Sequence, residues 1–406
     1  MIRFQAPGRA QRVLGVSVVD FMPPTLPPWL WPTAAYVHIP FCAHHCGYCD
    51  FAVAVGKDHL RDDYLKALDK ELATLGQPQT VRTLFFGGGT PSELSAPQLA
   101  RLLENVLHWL PLQEDHEFAV EANPNSLDEE KMRLLAEHGV NRISLGVQSF
   151  QPDVLRILER DHAPADVPRA VDVIRRTIDN ISFDLIFGVP GQTVAAWESD
   201  LRHALTFGPT HLATYGLTYE KGTRLWQQQQ RGAVRRLDED SELAMYTLAM
   251  DVLEAAGIEQ YEISNFARPG FRCRHNQVYW ANHAHFGFGV GAASYLHGQR
   301  KLNVRSTEGY IQRALAHRPT HFQAETLPPR ERALETIGQQ LRRRKGIHRH
   351  AFVEQTEIDL DELIGPTLAE HVALGLLHDD GASVALTRQG RCVADAVVAA
   401  YWGMVQ

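Results

Sequence analysis

Three cysteines fall within eight residues, in the run Cys42-Ala-His-His-Cys46-Gly-Tyr-Cys49-Asp-Phe51. The spacing is C-x3-C-x2-C. Thiolates are the natural ligands of iron–sulfur clusters. Three of them on one loop can hold three irons of a [4Fe–4S] cubane and leave the fourth iron open to a small chelating molecule. Zinc is the competing reading, because His44 or His45 could complete a four-ligand set. Structural zinc takes its ligands in pairs, commonly C-x2–4-C followed by a second pair. The other two cysteines, Cys273 and Cys392, are scattered and form no such pair. The compact spacing therefore favours a cluster on Cys42, Cys46 and Cys49 over zinc or three unrelated buried thiols.

Other polar residues follow short apolar runs. VRTLFF (81–86) leads into Gly87-Gly88-Gly89-Thr90-Pro91. Glycines let backbone N–H and C=O groups approach a ligand closely, although a lone glycine run is equally a tight turn. Glu121 ends EFAVE and Gln148 stands in GVQSF. Asp184 lies within ISFDLIF, and Arg160 follows a helical run over 152–159. Singly, each reads as a cap or a surface polar group. Together they converge on strand ends, where a polar nucleoside would need donors and acceptors.

A last candidate is His275-Asn-Gln-Val-Tyr279-Trp280. Neutral imidazole is a common axial ligand of heme iron. On a helix, Tyr279 at i+4 and Trp280 at i+5 could flank the same face and cover a porphyrin. In a chain with 20 histidines, a satisfied histidine beside core aromatics is the plainer reading of these residues alone. Cys273 is a rival thiolate ligand.

These residues need elements to position them. Strand candidates are 36–39, 81–86, 117–121, 141–147, 181–187 and 211–217. Helical candidates lie near 60–75, 96–109, 127–138, 152–159, 166–178 and 194–206. Ser95-Ala-Pro-Gln98 and Ser126-Leu-Asp-Glu129 read as capping boxes, and Gly139 as a helix stop. Alternating strands and helices predict an α/β fold with a parallel sheet, here a partial (β/α)6 TIM-like barrel. The chemistry then sits at the strands' C-terminal ends. We expect a lead over 1–33, the barrel over 34–260, a connecting segment carrying the histidine motif over 261–319, and a smaller, mostly helical C-terminal domain over 320–406. The run LLHDDGASVALT predicts a short hairpin late in that domain. Arg342 to Lys345 reads as a solvated helix end rather than a nucleic-acid patch.

Composition narrows the class. The chain has 406 residues, 44% hydrophobic and 22% charged, with a net charge of −8. No broad basic surface for nucleic acid is expected. No apolar run reaches the roughly 18–20 residues of a membrane span. Few, clustered cysteines fit a reducing cytoplasm and a metal site. Residues 1–20 carry Arg3, Arg9 and Arg12 and no acid before Asp20. This fits a transit peptide or a mis-called upstream start, and we expect the latter.

C-x3-C-x2-C after a first strand resembles the signature of the radical S-adenosylmethionine (SAM) superfamily. The resemblance implies a cluster whose open iron binds the amino and carboxylate groups of SAM, and electron transfer that cleaves SAM to a 5′-deoxyadenosyl radical. HIPFC, GGGTP, VEANP, GVQSF and DLIFGVPGQT together resemble the coproporphyrinogen-dehydrogenase-like group, from Tyr36 through the last helical segment. HemN-type dehydrogenases carry a further cysteine two positions after the third. Here that position is Phe51, as in HemW-type heme chaperones, and HNQVYW resembles their H-N-x-x-Y-W heme motif. The resemblance implies SAM contacts at Tyr36, Gly88, Gly89, Thr90, Glu121, Gln148, Arg160 and Asp184, and a heme ligand at His275. It implies a chain that binds heme and transfers it to an acceptor protein, which it does not identify. A homodimer and transient membrane association stay open. The runner-up is an oxygen-independent coproporphyrinogen III dehydrogenase, and the third reading is a non-catalytic zinc protein.

Overall fold

A computed structural model describes residues 27–402 of the chain. The arginine-bearing stretch 1–20, and with it the reading of the start, lies outside the described residues. Strand β1 (Ala34–Ile39) runs into a loop pinned by a two-stranded parallel pair, β2 (Phe41–Cys42) and β3 (Ala54–Val55). Helix α1 (Arg61–Leu72) returns the chain to β4 (Val81–Gly88). The unit repeats through α2 (Ala96–Trp109) to β5 (Leu112–Ala122) and α3 (Glu129–Glu137) to β6 (Arg142–Gln148). It continues through α4 (Pro152–Ile157) and α5 (Asp166–Arg175) to β7 (Ile181–Phe187), then α6 (Val194–Thr206) to β8 (His211–Gly216). All neighbours from β1 to β8 in this sheet pair in parallel. The strands read as apolar runs because helices cover one face and the lumen the other.

Past β8 come α7 (Arg224–Gln230), α8 (Glu239–Ala255), and β9 (Glu259–Gln260) with β10 (Asn265–Ala267), which extend the β8 edge antiparallel. Helix α9 (Arg274–Trp280) follows. Strand β11 (Phe286–Phe288) then adds to the opposite edge, parallel to β1. The sheet order is β11-β1-β4-β5-β6-β7-β8-β10-β9. Glycine at 287 is needed there, since a Cβ would stand 1.9 Å from the Ala293 carbonyl oxygen. A second, antiparallel sheet holds β12 (Ala293–Leu296), β13 (Gln299–Asn303) and β14 (His321–Thr326), with α10 (Thr307–Leu315) packed on α1.

The C-terminal unit contains α11 (Pro329–Gln340), β15 (Ile347–His348), α12 (Arg349–Thr356), α13 (Leu360–Ala373), the hairpin β16 (Leu377–Asp379) and β17 (Ser383–Leu386), α14 (Arg388–Cys392) and α15 (Ala394–Trp402). It has its own apolar core around Phe352, Ile337 and Tyr401. The predicted hairpin is present, joined by β15 into three strands. Residues 321–326, read as part of a helical region, form the exposed strand β14 instead. Among the described residues no helix is long and apolar enough to cross a membrane.

Ser95 and Gln98 form the expected capping box. Ser126 does not cap α3; Asp128 does, accepting from Lys131 N. The Ser126 hydroxyl is spent on the turn after β5, bonding Asn123 N (3.0 Å), Asn123 O (2.8 Å) and Ser92 Oγ (2.5 Å).

One buried carboxylate fastens the downstream segment to the barrel. Glu71 on α1 accepts from Gly289 N (2.7 Å), Asn303 Nδ2 (2.7 Å), Tyr310 Oη (2.7 Å) and Thr320 Oγ1 (2.6 Å). Glu71→Ala strands four donors, three of them buried and Thr320 half-buried. It is expected to cost about 3 kcal/mol in a urea unfolding titration. A loss below about 1 kcal/mol would mean that water replaces the carboxylate.

Candidate functional site

The cysteine loop overhangs the C-terminal ends of the barrel strands. Beneath it lies a cavity of about 470 Å³. Cys42, Cys46, Cys49, Gly88, Gly89, Thr90, Glu121, Gln148, Arg160 and Asp184 all line it. Residues that share no stretch of sequence meet there because most of them end or follow successive strands, with Asp184 added from the middle of β7.

Polar contacts organise the lining. Arg160 Nη1 donates to Cys46 Sγ (3.3 Å), while Nη2 donates to Asn123 Oδ1 (2.6 Å) and Gly146 O (2.9 Å). His162 Nε2 lies 3.1 Å from the Val147 carbonyl, so it carries the proton, and Nδ1 accepts from Arg160 Nε (3.3 Å). Asn123 Nδ2 donates to Thr90 Oγ1, which lies 3.5 Å from Cys42 Sγ. One side chain thus ties the glycine loop to the arginine. Gln148 adopts a positive φ of 64° at the end of β6, a costly conformation for a residue with a side chain. Phe51 stands 66% exposed at the rim.

Burial pushes the Cys42 thiol up to about 12 and the Cys49 thiol to about 11. They stay protonated at neutral pH unless a cation compensates. Glu121 accepts from Gly88 N (2.9 Å), yet burial first, and the Asp184 charge second, raise it to about 8. Asp184 is raised to about 6, chiefly by burial, although Ser144 Oγ donates to both its oxygens (3.1 and 3.2 Å). Two carboxyls face one cavity that holds the Arg160 cation, and it is suited to a ligand that brings further positive charge.

This has a consequence for stability. A folded carboxyl that ionises only near pH 8 keeps its proton where the unfolded chain, at its ordinary value near 4.5, has lost it. The ligand-free chain should therefore lose stability as pH rises from about 4.5 to about 8, by about 2 to 4 kcal/mol from Glu121. In chemical denaturation across that range, Glu121→Gln should flatten the slope and be the more stable form at pH 8. An unchanged slope would relocate the titration to another group.

Two expected residues lie elsewhere. Tyr36 is below the cavity, its ring stacked on Phe85 and its hydroxyl 3.1 Å from His38 Nδ1. His275 sits deeper still. It is 1% exposed, with Nδ1 2.9 Å from Thr83 Oγ1, Nε2 2.7 Å from Tyr279 Oη, and its ring stacked on Phe85. Thr83 and Gly88 stand five residues apart on β4, about 16 Å of strand. His275 is thus buried at the end of the barrel opposite the thiols, with the rest of its helix half-buried. Burial lowers the His275 imidazole to about 3, so it is neutral at physiological pH. The motif is helical, as Tyr279 at i+4 required. Glu117 caps it: Oε2 accepts from Arg274 N (2.9 Å) and Oε1 from His275 N (2.9 Å). Cys273 lies 3.5 Å from the same carboxylate, and burial pushes its thiol up to about 12.

Sequence reasoning missed Asn123, Ser144, Thr83 and Glu117. Period-2 alternation would have found two of them. Ser144, Gly146 and Gln148 share one face of β6, and Glu117 shares the lumen face of β5 with Glu121.

The basic run 342–345 serves structure. Arg344 Nη1 donates to Gln260 O (3.4 Å), and Arg342 pairs with Asp395 (2.6 Å).

Comparison with known proteins agrees with this geometry. The radical SAM superfamily model matches residues 36–204, and the HemN C-terminal domain model matches 327–393. The heme chaperone HemW of Bacillus subtilis (strain 168) is 39% identical over 380 residues, 91% of this chain and 99% of that protein. The heme chaperone HemW of Escherichia coli (strain K12) is 33% identical over 375 residues, 89% and 95% of the two chains. In structure, coproporphyrinogen III oxidase (HemN) from Escherichia coli superposes with a TM-score of 0.80 over 91% of this chain and 90% of that one, at 22% identity. That likeness establishes the shared fold: a radical SAM barrel followed by a mainly helical C-terminal unit. With relatives this similar over nearly their whole length, the chain belongs to the HemW family of radical SAM proteins.

Proposed function

We propose that this chain binds heme through His275 and passes it to an acceptor protein. It would do so while carrying a [4Fe–4S] cluster on Cys42, Cys46 and Cys49 and SAM in the strand-end cavity. The observation that carries the heme reading is the His275 helix. A neutral imidazole can give a lone pair to a metal once the hydrogen bond on that nitrogen is released, and Tyr279 of the motif lies beside it. Cys273 suits the role less, because its buried thiol holds its proton next to Glu117. Relatives bearing the heme-chaperone name over nine-tenths of the chain support the same reading.

The upper site fits its cofactors. Three part-buried thiols share one cavity, yet among the described residues no three His, Cys, Asp or Glu side chains converge to hold a single metal ion. A cubane instead takes each thiolate at its own corner. When bound, the cluster supplies the electron for SAM cleavage. Around it, Arg160 would neutralise charge at Cys46, and the Gly88–Glu121 pair would present a carboxylate to the cationic ligand. Phe51 stands where a further cysteine would point to the dehydrogenase.

Hemin titration of the reconstituted full chain, with and without SAM and reductant, tests the function. A saturable Soret shift near one hemin per chain is expected. Without any shift, the heme reading fails.

A further inference from the structure

Helix α9 carries the histidine, whose ring stacks on Phe85, and the contacts that hold the two ends of the helix are polar. His275 is its one buried residue. No α9 side chain belongs to any of the apolar core clusters of the described residues. The helix is gripped at its two ends by two different parts of the chain. At its start, the barrel's Glu117 takes the first two backbone N–H groups. At its end, the C-terminal unit reaches over. Gln355 Nε2 donates to Ala281 O (3.0 Å) and Asn282 O (3.2 Å), and Gln340 Nε2 donates to Ala281 O (3.3 Å) and to Gln355 Oε1 (2.9 Å). Both glutamines are buried, at 7% and 5% exposure. The Ala281 carbonyl, at the C-cap, is one that a helix end leaves open. Asn282, at a positive φ of 56°, turns the chain there and donates to Thr336 Oγ1 (2.9 Å).

The seated state is also imperfect. Trp280 Nε1 is buried with no hydrogen-bond partner among the described residues. That is a cost opening would relieve. Meanwhile both His275 nitrogens are occupied, and Nε2 is masked by the Tyr279 hydroxyl from the same helix. His275 is 1% exposed while α9 is seated, and unseating the helix would part its Nδ1 from Thr83 of the barrel.

We propose that α9 is a latch over the heme ligand, held shut by Gln340 and Gln355. Heme then reaches His275 when the C-terminal unit lets go of the helix end. This rests on the assignment of His275 as the heme ligand. It makes the C-terminal unit the part of the molecule that regulates loading. Because hydrogen bonds hold its ends and none of its side chains belongs to an apolar core cluster of the described residues, the helix can open while those clusters stay intact.

The test uses the full chain, comparing wild type with Gln340→Ala/Gln355→Ala. Hydrogen exchange of the amides over 274–282 should quicken about tenfold, with exchange in β5, β6 and β7 unchanged. Hemin uptake, followed by stopped-flow Soret absorbance, should quicken by a similar factor. Gln355→Glu is the second variant, should the double one fold poorly. It keeps the shape but sets a carboxylate against two carbonyl oxygens, and it should open α9 likewise. Wild-type exchange over 274–282 in a folded variant overturns the latch. So does faster exchange with unaltered hemin uptake. His275→Ala run alongside separates the two claims: wild-type hemin uptake in that variant overturns the ligand assignment, and leaves the exchange result to decide whether α9 opens.

Discussion

His275→Ala is expected to weaken hemin binding by about a hundredfold or more and to abolish the Soret band of an imidazole-ligated heme. The imidazole is neutral across physiological pH because burial holds it near 3, so no proton competes with iron. Loss of the ring also frees Thr83 Oγ1 and Tyr279 Oη inside the barrel, which should cost about 2 kcal/mol of stability. A control must therefore separate lost ligation from lost fold. His275→Gly supplies it, since free imidazole added to that variant should restore the band if the protein is intact. Cys273→Ala should bind hemin within a factor of about three of wild type, because its thiol stays protonated beside Glu117. If the band persists in His275→Ala and vanishes in Cys273→Ala, the ligand is the thiolate and the reading is reversed.

Legibility differed between the two ends of the barrel for a physical reason. Strands such as 181–187 are buried on both faces, so their apolar runs stand out, and the helices over 96–109 and 194–206 were readable to the residue. Strand β11 has three residues with a glycine at its centre, and β14 is exposed along most of its length. Neither carries a burial pattern that a sequence could reveal. The upper site was readable because most of its residues end or follow successive strands, and the parallel topology brings strand ends together. Ser126 misled because a serine before an acidic run satisfies a capping pattern whether it bonds the helix or, as here, the turn behind it. The depth of His275 was not readable at all. Spacing puts Tyr279 on its face, but nothing in HNQVYW says that Thr83 and Glu117, 192 and 158 residues upstream, receive the histidine and the start of its helix.

That separation leads to the second large effect. Cys46→Ala is expected to lose the whole cluster, falling from about four irons and four sulfides per chain to near zero after anaerobic reconstitution. It should also lose the electron paramagnetic signal of the reduced protein. Cys46 is the thiol that Arg160 contacts, so its removal also deprives the cavity of the sulfur facing its main cation. The fold should survive, because Arg160 keeps Asn123 and Gly146 as partners and the cysteine loop packs on the barrel through Phe41 and Ala54, both buried in the main core. Hemin affinity should change by less than about threefold, since some 16 Å of β4 lies between Gly88 at the thiol end and Thr83 beside His275. Zinc in place of iron in the wild-type chain would remove the cluster from the account. A parallel collapse of hemin binding in Cys46→Ala would mean that heme sits at the thiol end of the barrel, against Phe51 and the cavity mouth, and not on the buried helix.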